Sequence, residues 1–344
     1  MSAEFSIIAD PTIWRDVWGR LDRPSVLAGY EHVHAAALLE PGAVAEAAVM
    51  QWREGIAFFP YLRRPIPGAN GLWDLVSAYD FGGLWFSALD ADSRLALATA
   101  FGDAFARHAQ QSGVVSAFMR VHPFIPVEAL AAAGYDLKHH QDNVVVELNA
   151  PLEEIRGRYA RARRKQVRQG WESGLTLAFS DDIDGFVALY HENMHRMKAN
   201  PFYLFPIDFF AAIRSSLLLA EARGPDGEVC ARHLYLPDGE TLFAFLCHAD
   251  AKRLGLRPND FVYDAMIAEA HRRGFTRIHF GGGAENLYKY KQSFSPERIA
   301  FYHARYIFLL KEYNYLLQKK KLMIPDFNPG FFFPAYRYVS RSTE

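Results

Sequence analysis

Cysteine and net charge are the two things this sequence has least of. Its 344 residues include two cysteines, Cys230 and Cys247. Two thiols cannot build a disulfide framework or a four-thiolate zinc site. Lys and Arg total 38 against 39 for Asp and Glu, a net charge of -1. No global electric field would therefore draw the protein onto nucleic acid or acidic lipid, and we expect no DNA partner.

Long apolar runs and low-complexity tracts are also missing. The sequence contains no apolar run of 18 residues, so we expect no transmembrane helix. The first residues lack the basic and apolar regions of a signal peptide. Hydrophobic residues make up 50% of the chain and charged residues 22%, which excludes disorder, collagen and coiled coil. We expect a cytoplasmic globular protein with two domains, over residues 1–150 and 151–344.

Short strands alternate with helices, which predicts a mixed α/β fold. The apolar spacing and turn residues predict strands over 45–52, 55–62, 114–121, 143–148, 216–222, 229–236, 241–248 and 276–280. They predict helices over 91–113, 127–133, 183–197, 206–215 and 260–273. The aromatic tail after Lys319–Lys321 predicts a packed C-terminal strand, with contact to RNA or membrane as the alternative.

Residues 151–170 predict one strongly basic helix that links the two domains. It carries seven positive side chains: Arg156, Arg158, Arg161, Arg163, Arg164, Lys165 and Arg168. So many like charges within a few turns repel one another unless something neutralises them. The helix is therefore either a solvated bridge or a surface for an anionic ligand or RNA.

A zinc-binding pattern occurs at His191-Glu192-x-x-His195. On a helix this spacing places two imidazoles one turn apart, with the glutamate as a base. The extended zinc-binding pattern also needs a glycine and a third histidine further along the chain. Both are absent, and Lys198 stands at the glycine position. A helix that carries two histidines on its polar flank is the favoured explanation, so we assign no metal site.

Two further segments could bind anions or stabilise negative charge. The run Gly281-Gly-Gly283 follows a strand and precedes Tyr288, Tyr290 and Lys291. Two phenols and an ammonium group beside a glycine loop could stabilise an oxyanion. Arg253 and Arg257 lie before the helix predicted from residue 260, and the start of a helix is an anion site by geometry. That loop is similar to the pyrophosphate loop of GNAT acyltransferases.

Seven motifs carry a resemblance to a known family. They are Tyr79-Asp-Phe-Gly-Gly83, Arg120-Val-His-Pro123, Arg163–Gly170, Tyr190-x-x-x-Met194-x-Arg196, Pro258, Gly274-Phe-x-x-Ile-x-Phe-Gly281 and Leu287-Tyr-Lys-Tyr-Lys291-x-x-Phe294. In this order they resemble the Fem family of aminoacyl transferases (FemAB- and FemX-like proteins), which are tandem GNAT-like domains. The long helical-hairpin insertion of many members is absent here, although shorter relatives without it exist.

The resemblance implies a fold, an activity and a set of site residues. The fold would be two tandem GNAT-like domains, each a mixed, largely antiparallel sheet flanked by helices. Lys291 would stabilise the transition state, Tyr288 or Tyr290 would orient substrate, and Arg196 would bind acceptor phosphate. Tyr79 would line the cleft between domains. Arg253 and Arg257 would contact the donor if it carries a pyrophosphate, as coenzyme A does.

We therefore expect an N-acyl or aminoacyl transferase of cell-envelope or polysaccharide biosynthesis. The donor, aminoacyl-tRNA or acyl-CoA, would be a co-substrate rather than a bound cofactor, and tRNA a partner in the first case. The acceptor would be a small molecule with an amine. The alternatives are a zinc hydrolase at His191, Glu192 and His195, and a non-catalytic binding protein that keeps the fold.

Overall fold

The computed structural model describes residues 3–53 and 55–339. Its strands are β1 Glu4–Ile8, β2 Val44–Trp52, β3 Gly55–Pro65, β4 Trp73–Val76, β5 Trp85–Phe86, β6 Val114–Arg120, β7 Asp136–Glu147, β8 Thr176–Ser180, β9 Leu218–Arg223, β10 Val229–Asp238, β11 Thr241–Ala249, β12 Arg277–Gly281 and β13 Arg298–Ile307. Its α-helices are α1 Pro11–Gly19, α2 Tyr30–Ala37, α3 Ala91–Gln111, α4 Val127–Ala132, α5 Leu152–Gly157, α6 Arg161–Glu172, α7 Ile183–Arg196, α8 Ile207–Ile213, α9 Pro258–Arg272, α10 Glu285–Gln292 and α11 Leu310–Met323. No helix in these two ranges is long and apolar enough to span a bilayer.

The chain forms two compact units, and the first of them is discontinuous. Residues 1–140 group with residues 301–344, and residues 141–300 form the second unit. This grouping differs from the expected division into 1–150 and 151–344. The difference arises because β13 returns to pair with β6, so the C-terminal segment adds a strand to the N-terminal unit.

The sheet of the first unit runs in the order β1-β2-β3-β4-β6-β13. All neighbours are antiparallel except β4 and β6, which are parallel. Strand β3 is buried on both faces of the sheet. Its successive side chains point to opposite faces. Phe58 packs edge-on against Trp14 of α1, while Phe59 packs against Phe105 of α3 on the other face. Helices therefore cover both sides of this sheet.

The second unit contains a sheet in the order β7-β12-β11-β10-β9-β8. Strands β8 to β11 are antiparallel, and β11 and β12 are parallel. One core lies around α9, whose Phe261, Val262 and Met266 are fully buried. A second group of buried aromatic rings comes from α7, α8 and the segment before α8, and it includes Phe186, Phe205 and Phe210. The predicted class, a mixed and largely antiparallel α/β fold, is confirmed.

Most of the predicted elements are confirmed with small shifts in their ends. The strand pair β2 and β3, the helix α3 and the meander β9–β11 lie where the spacing and turn residues predict them. The predicted C-terminal strand is wrong. Lys319–Lys321 lie in α11, and the chain then forms turns in which Phe331 and Phe332 are exposed.

The single basic helix predicted over 151–170 is also wrong, because two helices occupy it. Helix α5 ends at Gly157 and α6 starts at Arg161. A glycine lowers helix propensity, and here the carbonyl groups freed at the break are bound. The guanidinium Nη1 of Arg164 donates to the carbonyl oxygens of Gly157 and Tyr159, both at 2.8 Å.

The buried carboxylate of Asp264 on α9 holds α5 and α6 in place. Arg156 donates to its two oxygens at 2.9 and 2.6 Å, and the Tyr159 hydroxyl donates at 3.0 Å. The indole Nε1 of Trp171 adds a fourth bond at 2.9 Å. Asp264 is completely buried, so these four donors replace its lost hydration. Other charges of the basic segment also have acidic partners, including Arg163 with Asp260.

We predict that Asp264→Ala destabilises the protein by about 3 kcal/mol, because it leaves the Arg156 charge without its buried partner. Urea unfolding followed by tryptophan fluorescence would measure this. The control is Glu154→Ala, which removes an exposed partner of Arg158 and should cost less than about 0.5 kcal/mol. Equal effects of the two substitutions would contradict the anchoring role of Asp264.

Candidate functional site

The pairing between two parallel strands of the second sheet ends early, and we call the stretch beyond its last pair the strand gap. Strands β11 and β12 pair over three positions, Thr241–Phe243 with Arg277–His279. Strand β11 continues to Ala249, and in the described part of the chain the two strands share no pairing beyond Phe243. An interrupted ladder leaves backbone groups available to a ligand.

Helix α9 begins close to the end of β11. Arg257, the residue before it, has a left-handed backbone with φ of 60°, and Pro258 occupies the first helical position. No side chain caps the first amides of α9. Open amides at a helix N-terminus are suited to a negatively charged group.

The glycine loop after β12 carries the lysine. The Nζ atom of Lys291, on α10, donates to the carbonyl oxygen of Gly282 at 2.7 Å. A Cβ atom at Gly282 would lie 1.7 Å from Nε2 of Gln141 and 2.9 Å from Oδ1 of Asn143, so a larger residue would force these side chains to move. Gly283 has φ of 135°, a conformation open to glycine. The loop and the ammonium group are therefore placed together by close packing.

Tyr290, on the same helix, joins α10 to α9 by a hydrogen bond to the acidic member of a buried ion pair. Its hydroxyl donates to Oδ1 of Asp260 at 3.1 Å, and that carboxylate also pairs with Arg163 of α6. The Arg163 guanidinium lies 4.0 Å from the centre of the Tyr290 ring. Burial raises the pKa of Tyr290 above its usual value, although Arg163 opposes the shift. The phenol therefore stays protonated and donates to Asp260 at neutral pH.

The structure brings three of the predicted site residues together and places the others elsewhere. Tyr288, Tyr290 and Lys291 share α10. Arg196 ends α7, where its Nη2 donates to Oδ1 of Asn193 at 2.9 Å. Tyr79 is part of the first unit, and its carbonyl oxygen is 3.1 Å from Nε2 of His32. The roles of all these residues stay predictions.

The two arginines assigned to the donor differ in their surroundings. Arg253 pairs with Asp226 at 2.8 Å, and its hydrogen bond to Asp226 raises the Arg253 pKa. Arg257 is exposed, next to the open amides of α9. A pyrophosphate would therefore compete with Asp226 for Arg253 but would meet Arg257 directly.

The zinc-binding pattern lies on α7, as predicted. The Nε2 atom of His191 is 2.8 Å from the carbonyl oxygen of Phe205. A carbonyl oxygen can only accept a hydrogen bond, so this nitrogen carries a proton. Across residues 3–53 and 55–339, no group of three His, Cys, Asp or Glu side chains is arranged to hold a metal ion.

Two polar contacts around β10 and β11 were not predicted from the sequence, one at the buried His233 and one at the exposed Cys247. His233 of β10 makes hydrogen bonds with Oδ1 of Asn259 at 3.0 Å and with the Tyr235 hydroxyl at 3.4 Å. The Cys247 thiol is 3.2 Å from the hydroxyl of Tyr263. His233 stands at an inward position between apolar residues of its strand, and that pattern could have identified it. Burial lowers the pKa of His233 to about 4.

The strand gap, the uncapped helix and the glycine loop lie in a segment of the chain that matches a known family profile. The family profile of the acetyltransferase (GNAT) domain matches residues 154–292, which lie almost entirely in the second unit and contain these features. The crystal structure of FemX aligns with a TM-score of 0.69 at 12% identity, and the alignment covers 92% of this chain and 99% of FemX.

A second similar structure is that of L-PGS from Bacillus licheniformis. Its TM-score is 0.57 at 13% identity, and the alignment covers 86% of this chain and 91% of that one. A search of curated protein sequences gave no significant match. The resemblance to the Fem family seen in the sequence is thus confirmed in the fold.

We predict that His233 makes stability depend on pH between about 6.5 and 4. The histidine is neutral when folded but takes up a proton at its usual pKa when unfolded, so stability falls as the pH falls through this window. The loss at pH 4 is on the order of 3 kcal/mol. Urea unfolding of His233→Gln at pH 7, 6 and 5 should show a weaker dependence.

The control for this experiment is His195→Gln, which changes an exposed histidine of α7. It should leave the pH dependence of the unfolding free energy as in the parent protein. An unchanged slope in His233→Gln would contradict the prediction.

Proposed function

We propose that this protein is an N-acyl or aminoacyl transferase. It moves an acyl or aminoacyl group from an activated ester or thioester to an amine of a small acceptor, which we take to be a nucleotide-linked sugar or a peptide. The observation that carries this proposal is the ammonium group of Lys291, held 2.7 Å from the Gly282 carbonyl oxygen beside the strand gap. The Fem resemblance adds a cytoplasmic role in cell-envelope or polysaccharide biosynthesis.

The reaction is a direct attack without a covalent enzyme intermediate. The neutral amine of the acceptor attacks the donor carbonyl carbon, and the carbonyl oxygen becomes negatively charged. Lys291 stabilises that oxyanion or the leaving oxygen or sulfur. The carbon–leaving group bond then breaks, the leaving group gains a proton, and the amine nitrogen loses one. A positive charge fixed where negative charge develops lowers the barrier, because it binds the transition state more strongly than the substrate.

The neighbours of Lys291 orient it and its substrates. Tyr290 is bonded to Asp260, so its contribution is to hold α10 at a fixed distance from α9. Tyr288 is half-buried on the same helix and is assigned to substrate orientation. Arg196 is assigned to the acceptor phosphate, and its bond to Asn193 limits the positions of its guanidinium.

The pairing of Arg253 favours aminoacyl-tRNA as the donor, whereas Arg257 and the open amides of α9 suit the pyrophosphate of an acyl-CoA. A coenzyme A pyrophosphate would have to displace the Asp226 carboxylate, which accepts hydrogen bonds from Nη1 of Arg253 at 3.1 and 2.8 Å. An aminoacyl ester of tRNA presents no pyrophosphate to this loop, so the pair can persist.

We predict that aminoacyl-tRNA is retained with the protein on filters, that retention weakens as salt rises from 50 to about 200 mM, and that excess acetyl-CoA does not compete. The salt dependence follows from the release of counterions by phosphate contacts. Deacylated tRNA serves as the matched control for the aminoacyl group. Absence of retention together with saturable acetyl-CoA binding would assign the donor to coenzyme A instead.

We predict that Lys291→Ala lowers kcat by about 100-fold, because one charge that stabilises the oxyanion is lost. The change in unfolding free energy should stay below about 1 kcal/mol. The rate of amine acylation with the donor identified on filters, measured beside urea unfolding of the same variant, separates the two effects.

The matched control is Lys289→Ala on the same helix. Lys289 is exposed and pairs with Glu285 at 2.5 Å, so its loss should leave kcat within about twofold. Parallel loss of activity and stability in Lys291→Ala would exclude the catalytic role. Full activity in that variant would overturn the proposed mechanism.

A further inference from the structure

A group of basic side chains lies on one face of the first unit, outside the site described above. Arg120 of β6 and His303 of β13 are direct register partners across the two strands. Arg305 follows two residues after His303, so it shares the same face. The ring of His140 from β7 stacks on His303, with centroids 4.1 Å apart and planes inclined by 21°. We call Arg120, His140, His303 and Arg305 the basic cluster.

Few side-chain nitrogen atoms of the basic cluster have a hydrogen-bond partner among the described residues. Among the described residues, the side chains of Arg120, His140 and His303 make neither hydrogen bonds nor ion pairs, although they contact aromatic rings. Arg305 donates from Nη2 to the carbonyl oxygen of Phe331 at 2.7 Å, while its buried Nε has no partner. Arginines in folded proteins commonly face a carboxylate, and this cluster contains two that do not.

The electrostatic surroundings of the two stacked rings are positive. Burial lowers the pKa of His303 to about 3, with further lowering by His140, Arg120 and Arg305. Burial, His139 and Arg305 lower the pKa of His140. Two imidazoles in stacking contact cannot both take a proton beside two guanidinium groups unless an anion neutralises them. The cluster is therefore a partly exposed positive site that makes no ion pair with the described part of the chain.

We propose that the basic cluster binds the phosphate or diphosphate group of a small molecule. Guanidinium groups bind phosphate oxygens through paired donors, and imidazoles add further donors. The cluster spans two residues along β13, about 7 Å, which accommodates one or two phosphate groups. A nucleic acid would need a longer track of cations. Phe118 and Phe301 lie 4.9 and 5.2 Å from the His303 ring and give the site an apolar border.

Isothermal titration of the full chain with inorganic pyrophosphate at 0.15 M salt tests this proposal. We expect saturable binding of one pyrophosphate per chain. Arg120→Gln and His303→Gln should each weaken it at least about tenfold. Arg120→Lys keeps the charge but loses the paired donors and should give an intermediate loss. Arg107→Gln is the control, because it removes an exposed arginine of α3 in the same unit and should change nothing.

Three results would overturn the proposal. They are binding that does not saturate, equal losses in Arg107→Gln and Arg120→Gln, and a short oligoribonucleotide that binds the cluster more tightly than pyrophosphate and is lost in the same variants. Circular dichroism of each variant confirms folding. The measurement needs no acyl transfer, so its outcome is independent of the role proposed for Lys291.

Discussion

Two carboxylates on one buried helix hold the second unit together. Asp260 and Asp264 lie one turn apart on α9, and both are buried. Neither charge could remain in that interior without a cation, because the loss of hydration is costly. Arg163 and Arg156 supply the cations from α6 and α5. The basic segment is therefore positioned by the acids of α9, and α10 follows because Tyr290 binds Asp260.

In the second unit, one carboxylate contributes both to the packing of the core and to the position of Lys291. The same carboxylate that neutralises Arg163 accepts a hydrogen bond from the helix that carries Lys291. A lysine on a solvated loop would sample many positions, and most would be useless for stabilising a developing charge. Fixing α10 against a fully packed α9 confines the ammonium group to the edge of the glycine loop. Preorganised charge of this kind is what the proposed acyl transfer would use to stabilise its transition state.

Local patterns predicted the fold well where the signal was itself local. The meander β9–β11 is framed by Gly and Asp turns, and helix α7 shows an unbroken apolar stripe, so both could be read from neighbouring residues. The break between α5 and α6 was missed although Gly157 marks it, and the partner that anchors both helices, Asp264, is more than a hundred positions away in sequence. The strand β13 was also missed, since its partner β6 lies far earlier in the chain. In the candidate site, Tyr288, Tyr290 and Lys291 lie on one helix after the glycine loop, and their roles stay predictions. The pairing of Arg253 with Asp226 depends on how two turns meet in space.

The return of the chain to its first unit has a consequence for synthesis. The ribosome releases residues 141–300 before residues 301–339 exist, so the second unit can fold while the first still lacks β13. The edge of β6 stays unpaired during that interval, and exposed strand edges promote aggregation. Two hydrogen bonds to the buried carboxylate of Asp74 also cannot form during that interval, because Tyr336 and Arg337 donate them. The part of the protein that is translated first is thus the part that is completed last.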